Sequence, residues 1–443
     1  MTLTRRAMFA TPLLTQAQVT PSVLRLAPEL EPLAQRFEST DRDKCPALLA
    51  AELKKGTPVR QLMAALFLAG IRNVNPRPPG FALHCVFVMH SAHQLSLEAP
   101  ASMRHLPLFF ALDQFKASQA RDKDYTMGEL SGVMPSPDRA LAELDRGLEN
   151  WEFDRAERAA AVLARTAGAH EVFSVFWKHG VRDYRNIGHK AIYVANAYRT
   201  LETIGWRYAE PVLRSIALAL CDFGPETKMN GFGFADQTWN VNLKRAMQAV
   251  PIGESKESDV TGIVAAIRSA APNEACADAA ARLSKGATAS SVWDAIHLAS
   301  AELTTRLAGG GVITGIHAAS AANAMHFAWQ SAGDARTRWL ILLQAAGWMA
   351  QFRVAGEQRA DIKKADITSV TEGPSRAEIG LELSNVITKA NEVHFYKFPV
   401  AIAEDYHLVS ERWRPAFASA LKHYTKKASD PDIPAMQQAK ALL

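Results

Sequence analysis

The chain has 443 residues, of which 48% are hydrophobic and 21% are charged, and its formal net charge is +5. This length and apolar content suffice for one large hydrophobic core or two ordinary ones. So small a charge excess, without a long run of Lys or Arg, argues against a nucleic-acid partner. No uninterrupted apolar stretch reaches about 18 residues, so we expect no membrane span. These limits favour a soluble globular protein that binds a small-molecule substrate.

The first 20 residues carry a pattern typical of an export signal. Arg5 and Arg6 precede a short apolar stretch at residues 10–14. Twin arginines ahead of a weakly hydrophobic segment direct the export of proteins that have already folded. The pattern predicts a periplasmic or exported protein, with the signal at residues 1–20 and a single helical domain over 21–443. The alternative is a cytoplasmic protein with an incidental arginine pair, since Pro12 interrupts the apolar stretch.

The rest of the chain reads as a succession of helices. Thr57 and Pro58 predict the N-cap and the first residue of one of them. Residues 118–137 predict a long loop, and Pro211 predicts a break between two helices. Because alternation of β-branched residues is scarce, we predict an all-α fold, a large helical domain with long loops. The predicted helices cover about residues 46–54, 58–70, 81–97, 106–116, 137–177, 188–220, 270–307, 312–330 and 339–354, and most of the chain after 375.

No short motif identifies the chemistry. The four cysteines lie far apart without C-x-x-C spacing, which argues against zinc-ribbon and thioredoxin motifs and predicts buried free thiols. Phosphate-binding loops of the Walker type, the G-x-S-x-G elbow and the H-E-x-x-H zinc motif do not occur. Any active site must therefore be assembled from residues that are distant in sequence.

The 13 histidines are the most informative residues, because several lie inside apolar helices. His90 and His93 are three positions apart, roughly 60° on one helix face, and can bind one ion. His84 falls on a different face of the same helix. His189 begins a helix whose polar stripe, with Tyr193 close by, favours an internal cavity, with a solvated face as the alternative.

Two later helices add further candidates. Asp294 precedes His297 by three positions and can serve as a metal ligand, as a base or as the group that orients the imidazole. His317 and His326 are nine positions apart, so an unbroken helix points them to opposite sides and they should not share an ion. The small residues around His317 favour it as the ligand.

A shared metal ion explains so many imidazoles in low-charge helices, where an unpaired ring is costly. The alternative for each histidine is a core residue with a local hydrogen bond. Imidazole-rich sites suit iron, zinc or copper. Without thiolates or a dense set of carboxylates, a mononuclear site fits better than a bridged di-iron site, which would want E-x-x-H pairs, and we expect iron, with zinc as the alternative. The predicted metal ligands are His90, His93, His189, His297 and His317, converging in one pocket, and the predicted catalytic residues are Tyr193 and Asp294.

Two segments carry a resemblance to a known family. Residues 188–202 (GHKAIYVANAYRTLE) and 312–321 (VITGIHAASA) resemble the questin oxidase-like family, and the resemblance covers about residues 80–350. It implies a helical, histidine-rich protein, and members of the family are associated with oxidative opening of aromatic polyketide rings. The chain departs from the family in lacking a His-Pro pair near His189 and in its export-like N-terminus.

The combined expectation is a metal-dependent oxidoreductase with a multi-histidine, mononuclear iron site. Its substrate would be an organic molecule, and the resemblance points to an aromatic one. Two alternatives remain: a zinc-dependent hydrolase or lyase in which Asp294 is the base, and a noncatalytic helical scaffold whose histidines are core residues.

Overall fold

The computed structural model describes residues 22–225, 238–248, 259–307, 311–358 and 362–443. Within these ranges the chain forms twenty α-helices and four short 3-10 helices without any β-strand, which confirms the all-α prediction. A single isolated antiparallel bridge joins Val23 to Gly128. The export signal predicted at residues 1–20 lies outside the described residues.

Most of the helices follow one another along the chain with short connections, and residues 122–136, within the predicted loop 118–137, form a long one. Their bounds are α1 (Glu31–Ser39), α2 (Cys45–Lys54), α3 (Val59–Asn73), α4 (His84–Glu98), α5 (Leu106–Arg121), α6 (Pro137–Glu149), α7 (Phe153–Thr166), α8 (Ala169–Gly180), α9 (His189–Ile204), α10 (Ala209–Leu220), α11 (Trp239–Met247), α12 (Val260–Ser269), α13 (Pro272–Ser284), α14 (Ala289–Arg306), α15 (Val312–Ser331), α16 (Ala335–Glu357), α17 (Arg376–Lys389), α18 (His394–Asp405), α19 (Arg414–Ala418) and α20 (Pro434–Leu442).

Several predicted boundaries shift for identifiable reasons. Thr57 does not cap α3, because its hydroxyl donates instead to the carboxylate of Glu52 at 2.7 Å, and Pro58 takes the N-cap position. The break between α9 and α10 falls at Gly205, whose φ of 116° only glycine adopts readily. Pro211 lies within the first turn of α10, where its missing N–H leaves no hydrogen bond unmade. The helix predicted over 106–116 continues to Arg121.

Four of the helices enclose a common interior that we call the central bundle. Helix α4 packs on α9, α9 on α15, α15 on α18, and α18 on α4 again. Side chains from the N-terminal parts of all four meet at one end, and side chains further along meet at the other. The four helices therefore run parallel. Parallel neighbours need long connections, and the intervening helices of the fold supply them.

Burial explains why these helices are apolar on most sides. In α15 nearly every residue from Thr314 to Ala328 is buried, as expected of a helix inside a large protein. None of the helices in the described ranges combines the length and apolar character needed to cross a bilayer. All four cysteines are buried free thiols, as predicted.

Candidate metal centre

Three buried imidazoles converge at the N-terminal end of the central bundle, and we call them the bundle cluster. His84 and His189 are the first residues of α4 and α9, and His317 lies in the second turn of α15. The Nε2 atom of His189 is 2.8 Å from Nε2 of His84 and 3.3 Å from Nε2 of His317. One potential ligand atom from each residue lies within 4.8 Å of the others, so the group could hold a metal ion.

The outer nitrogens of these rings determine which atoms carry protons. Nδ1 of His189 lies 2.6 Å from the carbonyl oxygen of Asn186, and Nδ1 of His317 lies 2.7 Å from that of Ile313. A carbonyl oxygen only accepts, so each Nδ1 must donate, and a neutral ring then has an unprotonated Nε2. The two Nε2 atoms that face each other at 3.3 Å thus present lone pairs, and no hydrogen bond can form between them.

A proton from His84 resolves only part of this conflict. Nε2 of His84 can donate to Nε2 of His189, but Nε2 of His317 still has no donor. Nδ1 of His84 is itself buried and has no hydrogen-bond partner among the residues that the structure describes. A cation held between the three Nε2 atoms satisfies all of the lone pairs at once, which is the arrangement found in histidine metal sites.

A fourth histidine lies against the cluster. The ring of His394, the first residue of α18, is 4.8 Å from the rings of both His84 and His317, centre to centre. Its Nδ1 lies 2.6 Å from the carboxylate of Glu392, which also accepts a hydrogen bond from the hydroxyl of Tyr424. Its Nε2 is buried, and no described residue forms a hydrogen bond with it. A carboxylate on the outer nitrogen is the usual support of a histidine that binds metal through the other.

The backbone before α9 is shaped to present His189. Asn186, Ile187 and Gly188 all have positive φ, at 59°, 52° and 78°. Two of these are non-glycine residues in the left-handed region, an arrangement that concentrates at functional sites. A Cβ on Gly188 would lie 3.2 Å from both Ala321 and Trp348, so the tight turn needs glycine. The turn directs the Asn186 carbonyl toward the ring of His189.

A second glycine positions α15. A Cβ on Gly315 would lie 2.6 Å from Cα of Thr304 in α14, closer than any real side chain permits. Helices α14 and α15 therefore approach each other closely at this point. His317 follows two residues later, so this contact fixes the depth at which its ring enters the bundle.

The electrostatics of the cluster favour neutral imidazoles. Burial lowers the pKa of His84, His189 and His317 well below the usual histidine value, and the charge of Lys397 lowers all three further. Lys397 is also buried, its Nζ has no hydrogen-bond partner in the described part of the chain, and burial lowers the pKa of this amine to about 7. Neutral imidazoles are the form in which histidine binds metal.

A second buried group, which we call the relay cluster, lies beside the central bundle. Nε2 of His297 is 2.8 Å from Nδ1 of His326, and Nδ1 of His297 is 3.5 Å from the carboxylate of Asp405. The His326 ring stacks on Trp293 with centres 4.2 Å apart, and the amide of Asn323 donates to Asp405 at 3.0 Å. A single proton between the two rings gives the facing nitrogens of His297 and His326 one donor and one acceptor. Nδ1 of His297 faces Asp405 without a hydrogen bond and has no such partner within the described residues. The three side chains also lie close enough to hold an ion.

The remaining predicted site residues lie elsewhere. Nε2 of His90 is 2.6 Å from the carboxylate of Glu404, and His93 is half-buried with Nδ1 3.4 Å from the hydroxyl of Thr203. The hydroxyl of Tyr193 donates to Ser215 at 2.7 Å, away from the imidazoles. The carboxylate of Asp294 accepts the backbone N–H of Ser410 at 2.9 Å. It therefore holds a loop and forms no hydrogen bond with His297.

Of the five histidines expected to converge, the structure brings together His189 and His317. His297 joins the relay cluster instead, and His326 goes with it, so His317 and His326 lie in separate groups as their spacing predicted. The orientation of α4 explains why His84, and not His90 or His93, lies in the bundle cluster. His84 lies on a different face of the helix, and that face points toward His189 and His317. His394 could not be predicted as a ligand from the sequence, because no other histidine lies near it on its helix.

No family model, curated protein or solved structure matches the chain. The fold and the two clusters therefore carry the functional argument. They establish buried groups of histidine that could bind a metal ion.

Proposed function

We propose that this chain is a metal-dependent oxidoreductase with one iron ion in the bundle cluster. One observation carries the proposal: Nε2 of His189 and Nε2 of His317 lie 3.3 Å apart, and each presents a lone pair to the other. Their outer nitrogens, the Nδ1 atoms, donate to backbone carbonyls. Such an arrangement is unfavourable in a dry interior unless a cation lies between the rings. His84 supplies the third nitrogen and His394 lies ready as a fourth.

The ligand set supports iron as the ion. Neutral imidazoles without thiolate suit iron, zinc and copper, and three or four of them leave positions open on a metal that accepts six ligands. Bound iron would supply redox chemistry with dioxygen. The chain's own residues hold the ion, the carbonyls of Asn186 and Ile313 fix the ring orientations, and the surrounding helices exclude water. The two segments that resemble the questin oxidase-like family contain His189 and His317, which supports oxidative chemistry on an aromatic substrate.

A zinc-dependent hydrolase or lyase is the second candidate, because three neutral histidines are also a common ligand set of catalytic zinc. Zinc chemistry of this kind needs a base near the activated water. Asp294, expected in that role, accepts the backbone N–H of Ser410 instead. The carboxylate that reaches the cluster, Glu392, is already engaged by His394 and Tyr424. The site thus favours redox chemistry over hydrolysis.

Metal analysis of protein from cells supplied with both iron and zinc tests the proposal. We expect about one iron per chain, and a nitric oxide adduct visible by electron paramagnetic resonance once the iron is reduced, because that probe needs an open coordination position. Zinc at one per chain would favour the second candidate. Only trace metal would leave the histidines as core residues and support the scaffold alternative.

We also propose, from the arginine pair alone, that residues 1–20 direct export of the folded protein. Lysine in place of both Arg5 and Arg6 should then retain the protein in the cytoplasm, because the pathway distinguishes the two side chains. Unchanged fractionation of the double variant would show that the segment is no export signal.

A further inference from the structure

A groove at the surface lies between the start of α3 and the ends of α4 and α9, and we call it the α3–α4 groove. Its volume is about 460 Å³, within the roughly 300–1,000 Å³ that is typical of small-molecule sites. One of its lining residues, His93, is nine positions after His84 on α4, which is about 13 Å along the helix axis. The groove is therefore separate from the bundle cluster.

Part of the α3–α4 groove is apolar. Val59 and Met63 lie one turn apart at the start of α3, and Leu97 comes from the last turn of α4. Leu97 is 66% exposed, which is unusual for a large apolar residue of this chain. A ligand with an apolar body would remove this surface from water, and that burial favours binding.

Two exposed arginines, Arg60 and Arg104, line the same groove. Neither guanidinium lies within 4.0 Å of a carboxylate oxygen of any described residue. Nε of Arg60 donates to the carbonyl oxygen of Ile204 at 3.0 Å, which orients this side chain and leaves its two terminal nitrogens for another acceptor. A guanidinium in that state can bind a carboxylate through two parallel hydrogen bonds.

The other polar side chains of the groove add no fixed charge. Burial lowers the pKa of His93 and of His105, so both imidazoles are neutral near pH 7. The hydroxyls of Ser96 and Thr203 already donate to backbone carbonyls of the chain. The two arginines therefore determine the charge of any ligand that this groove prefers.

Carboxylates of the chain do not neutralise this charge, since no Asp or Glu among the described residues lines the groove. A neighbouring cavity, which Arg60 also lines, differs in this respect because it contains Glu29. The carboxylate of Glu29 accepts from the hydroxyl of Tyr208 at 2.9 Å and lies 3.3 Å from the guanidinium of Arg207. The chain thus compensates the charge of Arg207, whereas the charges of Arg60 and Arg104 are left for a ligand.

We propose that the α3–α4 groove binds a small organic carboxylate with an apolar body, such as a free medium-chain fatty acid. Arg60 and Arg104 bind the carboxylate, and Val59, Met63 and Leu97 pack against the apolar body. The proposal does not depend on a metal ion in the bundle cluster. It adds a second binding site for small molecules to the chain.

Equilibrium dialysis of the full chain against radiolabelled octanoate tests this site, with wild type, Arg60→Met, Arg104→Met and Arg207→Met compared. Loss of a charge-assisted hydrogen bond should weaken octanoate binding about 10-fold in Arg60→Met and in Arg104→Met. Arg207→Met is the matched control and should leave the affinity unchanged, because Glu29 already compensates that arginine. Octanol, which has the same apolar body without the charge, should bind more weakly than octanoate.

Three results would overturn the proposal: no binding of octanoate to wild type, equal binding of octanoate and octanol, or the same loss of affinity in all three arginine variants. Thermal unfolding shows whether each variant folds. Arg104→Met keeps the test if Arg60→Met does not fold, because no described residue accepts a hydrogen bond from the Arg104 side chain. Leu97→Ser changes an exposed residue and should weaken the binding of octanoate and octanol alike; unchanged binding of both would show that the apolar body lies elsewhere.

Discussion

The bundle cluster and the relay cluster are built from the same material. Each contains buried histidines from separate helices with nitrogens about 2.8 Å apart, and in each burial lowers the histidine pKa values. They differ in what their outer nitrogens touch. In the bundle cluster backbone carbonyls accept from Nδ1 of His189 and His317. In the relay cluster Nε2 of His297 faces a second imidazole, and its Nδ1 faces the carboxylate of Asp405 at 3.5 Å without a hydrogen bond.

That difference decides which cluster needs an ion. In the relay cluster protons placed on His297 and His326 give the facing nitrogens one donor and one acceptor. In the bundle cluster the carbonyls fix the protons of His189 and His317 on Nδ1, so the inner nitrogens of these two rings can only accept. Close imidazoles alone are thus a poor sign of a metal site. The hydrogen-bond partners on their far sides are a better one, because they set which nitrogen is free to bind.

The largest expected effect is loss of metal from bundle-cluster variants. His189→Ala and His317→Ala each remove a proposed ligand, and should weaken metal binding by more than the roughly 10–100-fold that loss of an outer hydrogen bond costs. His297→Ala, the matched change in the relay cluster, should leave the metal content unchanged. Metal per chain, measured after dialysis against a weak chelator, checks this. Equal loss from all three variants would contradict the distinction between the clusters.

The pH dependence of the metal-free protein should separate the clusters next. A histidine whose pKa is lowered in the folded state stays unprotonated there, while the same histidine in the unfolded chain takes up a proton. The unfolding free energy of the protein therefore falls as pH drops below about 6.5. His317→Leu should flatten that acid slope by about 1.4 kcal/mol per pH unit.

Asp405 should act in the opposite direction. Burial and the neighbouring charge of Glu404 raise the pKa of Asp405 well above the usual value of 3.8. The folded state then gains a proton at a pH where the unfolded chain has none, which stabilises it as pH falls toward 3.8. Asp405→Asn should therefore steepen the acid slope. Urea titrations between pH 4 and 7 would measure both slopes, and a change of the same sign in the two variants would refute this account.

Replacement of single rings by leucine should give opposite results for the two clusters in metal-free protein. His297→Leu removes the ring that faces Nδ1 of His326 and leaves that buried nitrogen without its partner, which costs about 1–3 kcal/mol of unfolding free energy. His317→Leu removes one of the facing lone pairs, so its stability should equal or exceed that of wild type. Chemical denaturation of both variants, purified with chelator, gives the comparison. Similar destabilisation by both would show that the bundle cluster is satisfied without an ion.

The smallest expected effect concerns the carboxylate behind His394. Glu392→Gln keeps the shape of the side chain but weakens the hydrogen bond to Nδ1 of His394. If His394 is the fourth ligand, metal affinity should fall about 10-fold. Asp405→Asn is the matched control, because it alters the carboxylate of the relay cluster. Competition with a coloured chelator measures both, and unchanged affinity in Glu392→Gln would exclude His394 as a ligand.

The fold class could be predicted from the sequence because helix periodicity is local. His189 and His317 could be selected for the same reason: each lies in an apolar, low-charge helix beside glycine or other small residues. The rest of the site depends on packing between helices far apart in the chain. Nothing local shows that α4 and α18 begin beside α9, so His84 and His394 could not be assigned. One signal was available: His84, His189 and His394 all stand at the start of an apolar stretch.

The most direct test of the central claim is anomalous diffraction from crystals of the metal-loaded protein, collected at the absorption edge of the bound metal. We predict a single strong peak among the Nε2 atoms of His84, His189 and His317, about 2.1 Å from each. We predict no peak at His297, His326 and Asp405. A peak at the relay cluster with none in the bundle, or three unchanged imidazoles with no peak between them, would contradict the central claim.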